Sequence, residues 1–389
     1  MRFLMVTVYA KILLRELIRL FVRVLWFLPV RKNRIVFESF QGRQFADNPR
    51  EIWRYMRAHY GDRFDYVCSL TDPASLTERE GIRAVRYKSW QWLYCQLTAG
   101  VIVSNTLPIT ILPKRKGQQF IETWHGGGAY KTLADDFLGY SRAKRTMIRW
   151  NNTLLCRKID VFLSSSGRFS EVGIIQPYGY TKNICFTGMP RNDIFFDAGR
   201  VSAASRKVRE RYHLRGTVIL YAPTWRGTDF QNTKRIDTLL DFARLQSAIP
   251  DASILFRSHY ADHNRYDSFD RVTDVKDYPD MQELLCAADI LITDYSSSIW
   301  DYALLGRPCL LYVPDLEEYE KVEHGFCTPI ETWPGVVCKN MDALCEAAAS
   351  IDPAEHKARA EAHLRALGSY ENGSACRQVA DMILDHCRS

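Results

Sequence analysis

"DILITDYSSSIWDYALLGRPCLLYVPD", residues 289–315, decides the fold. The apolar run ILIT reads as a buried strand that stops at Asp294. Three serines follow, then a short helical stretch that ends at Gly306, and Pro308 precedes a second apolar run, CLLYV. Two strands joined through a helix form a parallel βαβ unit. Ser298 with Asp301 three residues on has the spacing of a capping box, so Ser298 is expected to be the cap. Ser296 and Ser297 are then surplus to capping. Hydroxyls and free backbone N–H groups at a helix start suit a phosphate, which makes this strand end a candidate anion pocket. Asp280 with Glu283 repeats the box one helix upstream.

Outward from this unit the alternation continues. RIVFESF, FDYVCSL, VIVSNT, QQFIETW and VFLSSS read as strands, separated by helical stretches such as NPREIWRYMRAHYG, with Pro49 in its first turn and Gly61 as its stop. TVILYAPTW and SILFRSHY open a second series. Between the two series runs the polar connector AGRVSAASRKVRERYHLRG. The expected division is an N-terminal helix at 1–32, one α/β domain at 33–205 and another at 206–389 including C-terminal helices. Two parallel-sheet domains leave a cleft at the carboxyl ends of their strands, where ligands tend to bind.

The bulk numbers agree. A chain of 389 residues with 47% hydrophobic and 25% charged residues is globular and too long for one ordinary core. A net charge of +7 suits an anionic substrate or an anionic membrane surface and gives no reason to expect nucleic acid. Eleven cysteines without a C-x-x-C pair read as reduced core thiols of a cytosolic protein. The first 30 residues are apolar except for Lys11, Arg15, Arg19 and Arg23, which share one helical stripe. Such a helix carries too many charges to span a bilayer, and no signal-peptide cleavage site is evident. It is expected to lie in the interface, its basic face toward anionic headgroups on the cytoplasmic leaflet and its apolar face in the acyl boundary. Packing against its own domain is the alternative.

Candidate chemistry clusters at strand ends. In TWHGGGAYK (123–131), His125 is followed by Gly126 and Gly127, so a ligand can approach an imidazole able to act as a general base. H-G-G-G also occurs in esterase oxyanion holes, but no G-x-S-x-G elbow exists to accompany it. In FRSHY (256–260), Arg257 and His259 project to one side, a natural clamp for a phosphate leaving group. YAPTWRG (221–227) brings Thr224 and Arg226 to the rim. GMPRND (188–193) forms a rigid loop whose Arg191 and Asn192 either meet the acceptor or join the domains. No P-loop, dinucleotide fingerprint or H-E-x-x-H occurs, so neither a cofactor nor a metal is expected.

These pieces, in this order over about residues 34–330, resemble the CDP-glycerol glycerophosphotransferases of bacterial wall teichoic acid and related capsule synthesis. The resemblance implies an α/β GT-B fold: two Rossmann-like domains facing a central cleft, with donor held mainly by the C-terminal one. It implies a metal-independent transferase moving glycerol phosphate or a related polyol phosphate from CDP-glycerol, or another CDP-polyol, to a lipid-linked saccharide or polyol-phosphate acceptor. His125 and His259 become the catalytic pair. Arg257, Ser296, Ser297, Thr224, Arg226 and Asp294 are expected to bind donor. Gly127 stands where the family commonly has threonine. The rival readings are a GT-B glycosyltransferase or epimerase using a UDP-sugar, and a non-catalytic membrane-bound adaptor. Nucleotide preference separates the first from the transferase, and indifference to loss of His125 and His259 would mark the second.

Overall fold

The computed structural model describes residues 2–132, 141–224, 226–227, 233–234, 240–258, 272–322 and 325–388. The N-terminal domain is built on seven parallel strands: β1 (Arg31–Glu38), β2 (Asp65–Leu70), β3 (Arg83–Arg86), β4 (Ala99–Ser104), β5 (Gln119–Glu122), β6 (Val161–Leu163) and β7 (Ile184–Cys185). Their order is β3-β2-β1-β4-β5-β6-β7, a doubly wound arrangement that starts at β1 and reverses direction there. The central strands are buried on both faces, hence their nearly unbroken apolar sequence. Strand β3 escaped the sequence reading because RAVR alternates charge and small apolar residues at a sheet edge.

The C-terminal domain repeats the plan with β8 (Val218–Tyr221), β11 (Ser253–Phe256), β12 (Val272–Asp274), β13 (Ile290–Thr293), β14 (Cys309–Tyr312) and β15 (Val336–Cys338) in the order β12-β11-β8-β13-β14-β15, all parallel. A ribbon of β9 (Arg226–Gly227) and β10 (Thr233–Lys234) stands apart. The quoted segment forms β13, a six-residue helix (Ser298–Ala303) and β14 as expected.

Two helices shift the expected domain limits. The connector helix Ala198–Arg211 buries Val208 in the core of the C-terminal domain. The last helix, Ala375–Arg388, crosses back. Its Val379, Ala380, Ile383 and Leu384 pack with Ile35, Ile52 and Met56 in the N-terminal core. Polarity concealed this, because the helix is amphipathic and six of its fourteen residues are buried.

The N-terminal helix α1 (Arg2–Arg23) packs along one side against the N-terminal domain. Helix α2 (Asp47–Tyr60) and helix α3 (Trp90–Thr98) cover the sheet, and α4 (Arg142–Lys158) receives α1. Arg19, with a side chain only 12% exposed, bonds Glu16 and the Thr110 carbonyl, and Arg15 lies over the Trp150 ring. Val22, on the same side, is buried. Within the basic stripe, Arg19 thus turns to the domain, while Lys11, Arg15 and Arg23 remain exposed, as do Tyr9, Leu13, Leu14, Leu17, Leu20 and Phe21.

Side chains from both domains seal the seam between them. Arg191 is 3% exposed and grips Asp301 through two bonds of 3.0 and 3.1 Å, and Asp47 at 3.1 and 3.3 Å. Asn192 donates to Asp301 at 2.9 Å and to Glu371 at 3.1 Å. Arg50 pairs with Asp280 across the same seam.

Candidate active site

Loops leaving the carboxyl ends of β1, β5, β8, β11 and β13 line one cleft of about 330 Å³. One wall carries Phe40, Asp47 and His125; the other carries Arg257, Lys276, Ser296, Ser297 and Ser298. The apolar strands end here because their last residues are the final ones the sheet can bury, and the polar loops begin at once.

His125 is held from behind. Its Nδ1 lies 2.8 Å from the carbonyl oxygen of Asn105, an acceptor only, so Nδ1 carries the proton and Nε2 keeps its lone pair. The Asn105 side-chain oxygen in turn receives the Phe40 amide at 2.8 Å, and the Phe40 ring meets the imidazole edge-on at 5.7 Å. Burial holds the His125 imidazolium below the ordinary histidine value, although the Asn105 carbonyl and Asp47 work the other way. A neutral imidazole with a fixed tautomer is the form a general base requires.

The backbone around this histidine is strained. Phe40, Gln41 and Asp47 after β1, and Trp124 immediately before His125, all have positive φ (48°, 56°, 62° and 56°). Such residues cost on the order of 1 kcal/mol or more each and persist where surrounding bonds enforce them. The Glu122 carboxylate accepts the Trp124 amide at 3.0 Å and so enforces one of them. Gly127 is required for a different reason: a Cβ there would come within 1.9 Å of the Trp300 indole. The glycine thus lets the histidine loop close onto the serine helix, with Gly126 facing Ser297.

Several sequence expectations need correction. Ser298 is the first helical residue and does not cap; its amide donates to Ser296 Oγ at 3.2 Å. The amides of Ile299 and Trp300 are taken by the carbonyls of Ser296 and Ser297. This helix start is therefore not an open nest of N–H groups. Asp301 does not close a box but turns to Arg191, Asn192 and Gln282. Asp280 does cap its helix, accepting from Gln282 and Glu283, whereas Glu283 binds Lys207 and Tyr278. Thr224 and Asp294 bond each other, amide at 2.9 Å and hydroxyl at 2.6 Å, bracing β8 against β13. Arg191 and Asn192 bond across the seam, as one of the two expectations had it, and Arg191 also lines the cleft. Arg257 stays on the cleft wall, steadied by the Tyr278 carbonyl at 2.8 Å. Ser297 Oγ makes no hydrogen bond to the described residues and faces the cleft. His259 and the side chain of Arg226 lie outside the described residues.

The sequence reading missed Asn105, Phe40 and Lys276. Asn105 stood in a quoted strand, but its contribution to His125 is a backbone carbonyl, which any residue type supplies.

Two parallel-sheet domains that meet at their strand ends, with a base on one wall and cations and hydroxyls on the other, define a GT-B transferase. A sequence model described as CDP-Glycerol:Poly(glycerophosphate) glycerophosphotransferase matches residues 20–385, and the chain belongs to that family. It is 32% identical over 342 residues to a teichoic acid poly(glycerol phosphate) polymerase of Bacillus spizizenii, covering 84% of this chain and 85% of that one. It is 28% identical over 377 residues to a teichoic acid glycerol-phosphate transferase of Staphylococcus aureus, covering 90% and 93%. Among solved structures, the wall teichoic acid polymerase TagF, as a histidine variant soaked with CDPG, superposes with a TM-score of 0.83 at 26% identity over 98% of each chain.

Proposed function

We propose that this chain transfers glycerol phosphate, or a related polyol phosphate, from a CDP-linked donor to a hydroxyl of a lipid-linked acceptor in teichoic acid or capsule-type polymer synthesis. The observation that carries this reading is His125, with Nδ1 bound to the Asn105 carbonyl and Nε2 left for a ligand, facing Arg257, Lys276 and Ser297 across one cleft. In the step, Nε2 takes the proton of the acceptor hydroxyl as its oxygen bonds to the β-phosphorus. The bond from that phosphorus to the bridging oxygen breaks, its electron pair leaves with CMP, and the polyol phosphate ends on the acceptor. Arg257, Lys276 and the Ser297 hydroxyl oppose the negative charge that grows on the phosphates. Because the helix amides are already bonded, cations and hydroxyls carry this stabilisation.

The reading includes a place on the cytoplasmic face of the membrane, and α1 supports membrane contact. No described helix is long and apolar enough to cross a bilayer, yet α1 presents a continuous exposed apolar face. Beside it, α4 carries exposed Arg142, Arg145 and Arg149 on one helical face. Apolar insertion flanked by arginines suits an anionic lipid surface, where a lipid-linked acceptor would be met.

Incubating the purified protein with CDP-glycerol or CDP-ribitol and a water-soluble acceptor should release CMP and extend the acceptor by one polyol phosphate in the mass spectrum. Turnover of a UDP-sugar in place of either donor would overturn this reading.

A further inference from the structure

Adjoining the cleft at His125 lies a second chamber of about 180 Å³. His125 and Ser297 line both spaces, so the imidazole forms part of the partition between them. The two differ in chemistry. The cleft carries Arg257, Lys276 and serines, whereas the chamber is walled by Trp124, Phe169, Val172 and Tyr295, with Lys131 also on its lining. Its size decides what it can hold. At about 30 Å³ per water, it takes roughly six waters' worth of matter. That is room for one sugar ring or one polyol phosphate, and too little for a nucleotide.

Resting on the transferase reading above, we propose that this chamber binds the terminal unit of the acceptor, a polyhydroxylated sugar or polyol phosphate, with its attacking hydroxyl on Nε2 of His125. Aromatic walls suit the C–H faces of such a unit, and Lys131 supplies a cation for a phosphate ester. An acceptor in the chamber and a donor in the cleft would meet at His125, so that the hydroxyl deprotonated by Nε2 can approach the phosphorus held on the other wall. The chamber also lies toward the lipid-facing layer. Trp124 touches Tyr178, whose carbonyl receives Cys156 Sγ of α4 at 3.2 Å, and α1 packs on α4.

The test uses the full chain and two short water-soluble acceptors, one ending in a sugar and one in glycerol phosphate, which tell the two occupants apart. Val172→Phe fills the chamber. It should raise the KM of the acceptor that the protein uses about tenfold or more, a loss of at least about 1.4 kcal/mol, while the Kd for CDP by calorimetry stays within about twofold. An unchanged acceptor KM in folded Val172→Phe, or a parallel loss of CDP affinity, overturns the assignment. Val172→Cys provides a second measurement should the larger side chain not be tolerated. Alkylation at that position, followed by peptide mass, should slow with acceptor and not with CDP. Protection by CDP alone, or by neither, also overturns it. Absence of CMP release by the unsubstituted protein would overturn the transfer reading itself, and the chamber assignment with it.

Discussion

Trp124 adopts a left-handed backbone that a tryptophan ordinarily avoids, and the imidazole that follows depends on it. Glu122, Asn105 and the Phe40 loop together fix His125, so the side chain can be removed without disturbing the donor wall. His125→Ala should lower kcat by about two to four powers of ten, with CDP affinity by calorimetry nearly kept. Because burial depresses its pKa, the acid limb of kcat/KM should lie below 6.5, the ordinary histidine value; as pH falls through that limb, Nε2 gains a proton and activity is lost. A limb above 6.5 would point to another group. The serines give a second prediction. Ser296 Oγ holds the Ser298 amide, so Ser296→Ala should cost about 1 kcal/mol in urea unfolding, whereas Ser297→Ala should leave stability unchanged and raise the donor KM. The sequence made the serine cluster and the WHGGG loop visible because both interrupt apolar strands with residues of no use to a core. It could not assign the three serines, since spacing alone does not say which hydroxyl reaches an amide. Nor could it choose between the two readings of Arg191, because its partners Asp47 and Asp301 lie more than 100 residues away in the chain.

At the scale of elements, periodicity found the amphipathic helix but not which of its residues meet the domain. A stripe of arginines and a stripe of leucines are both legible at a spacing of four, but their contacts depend on α4. Trp150 and the Thr110 carbonyl receive Arg15 and Arg19. On the membrane reading, affinity comes from the exposed leucine face, and charge dependence from Lys11, Arg15 and Arg23 together with the arginines of α4. Replacing Leu13, Leu17 and Phe21 with serine should abolish flotation with anionic vesicles. Changing Arg142, Arg145 and Arg149 to glutamate should weaken it and reduce its salt sensitivity, both without unfolding, because these side chains are exposed. Flotation unaffected by either set would remove α1 and α4 from membrane binding. Strand–helix alternation, by contrast, was read with little loss, because buried parallel strands must be apolar throughout.

At the scale of the molecule, Glu371 sits where the chain returns from the second domain to the first. It accepts from the Met189 amide at 3.0 Å, Trp300 Nε1 at 3.0 Å and Asn192 at 3.1 Å. Burial nevertheless raises its pKa to about 7, from 4.5. A raised carboxyl contributes fully below the unfolded value, and its contribution is lost as pH rises from 4.5 through about 7. The unfolding free energy should therefore decline over that window, and Glu371→Gln should flatten the decline relative to the unsubstituted protein. Equal slopes in urea titrations at several pH values would show that Glu371 is not the group responsible. The returning helix was invisible in the sequence, since nothing local marks a polar helix as belonging to a sheet some 340 residues earlier. Its position has a consequence for how the protein is made. The first domain leaves the ribosome with Ile35, Ile52 and Met56 lacking one wall, and that wall is supplied only when Val379 to Leu384 emerge. Long-range closure of this kind is slow and leaves apolar surface open in the interval. The nascent chain should therefore be a client of chaperones until Val379 to Leu384 have emerged, with its first domain maturing only after the second.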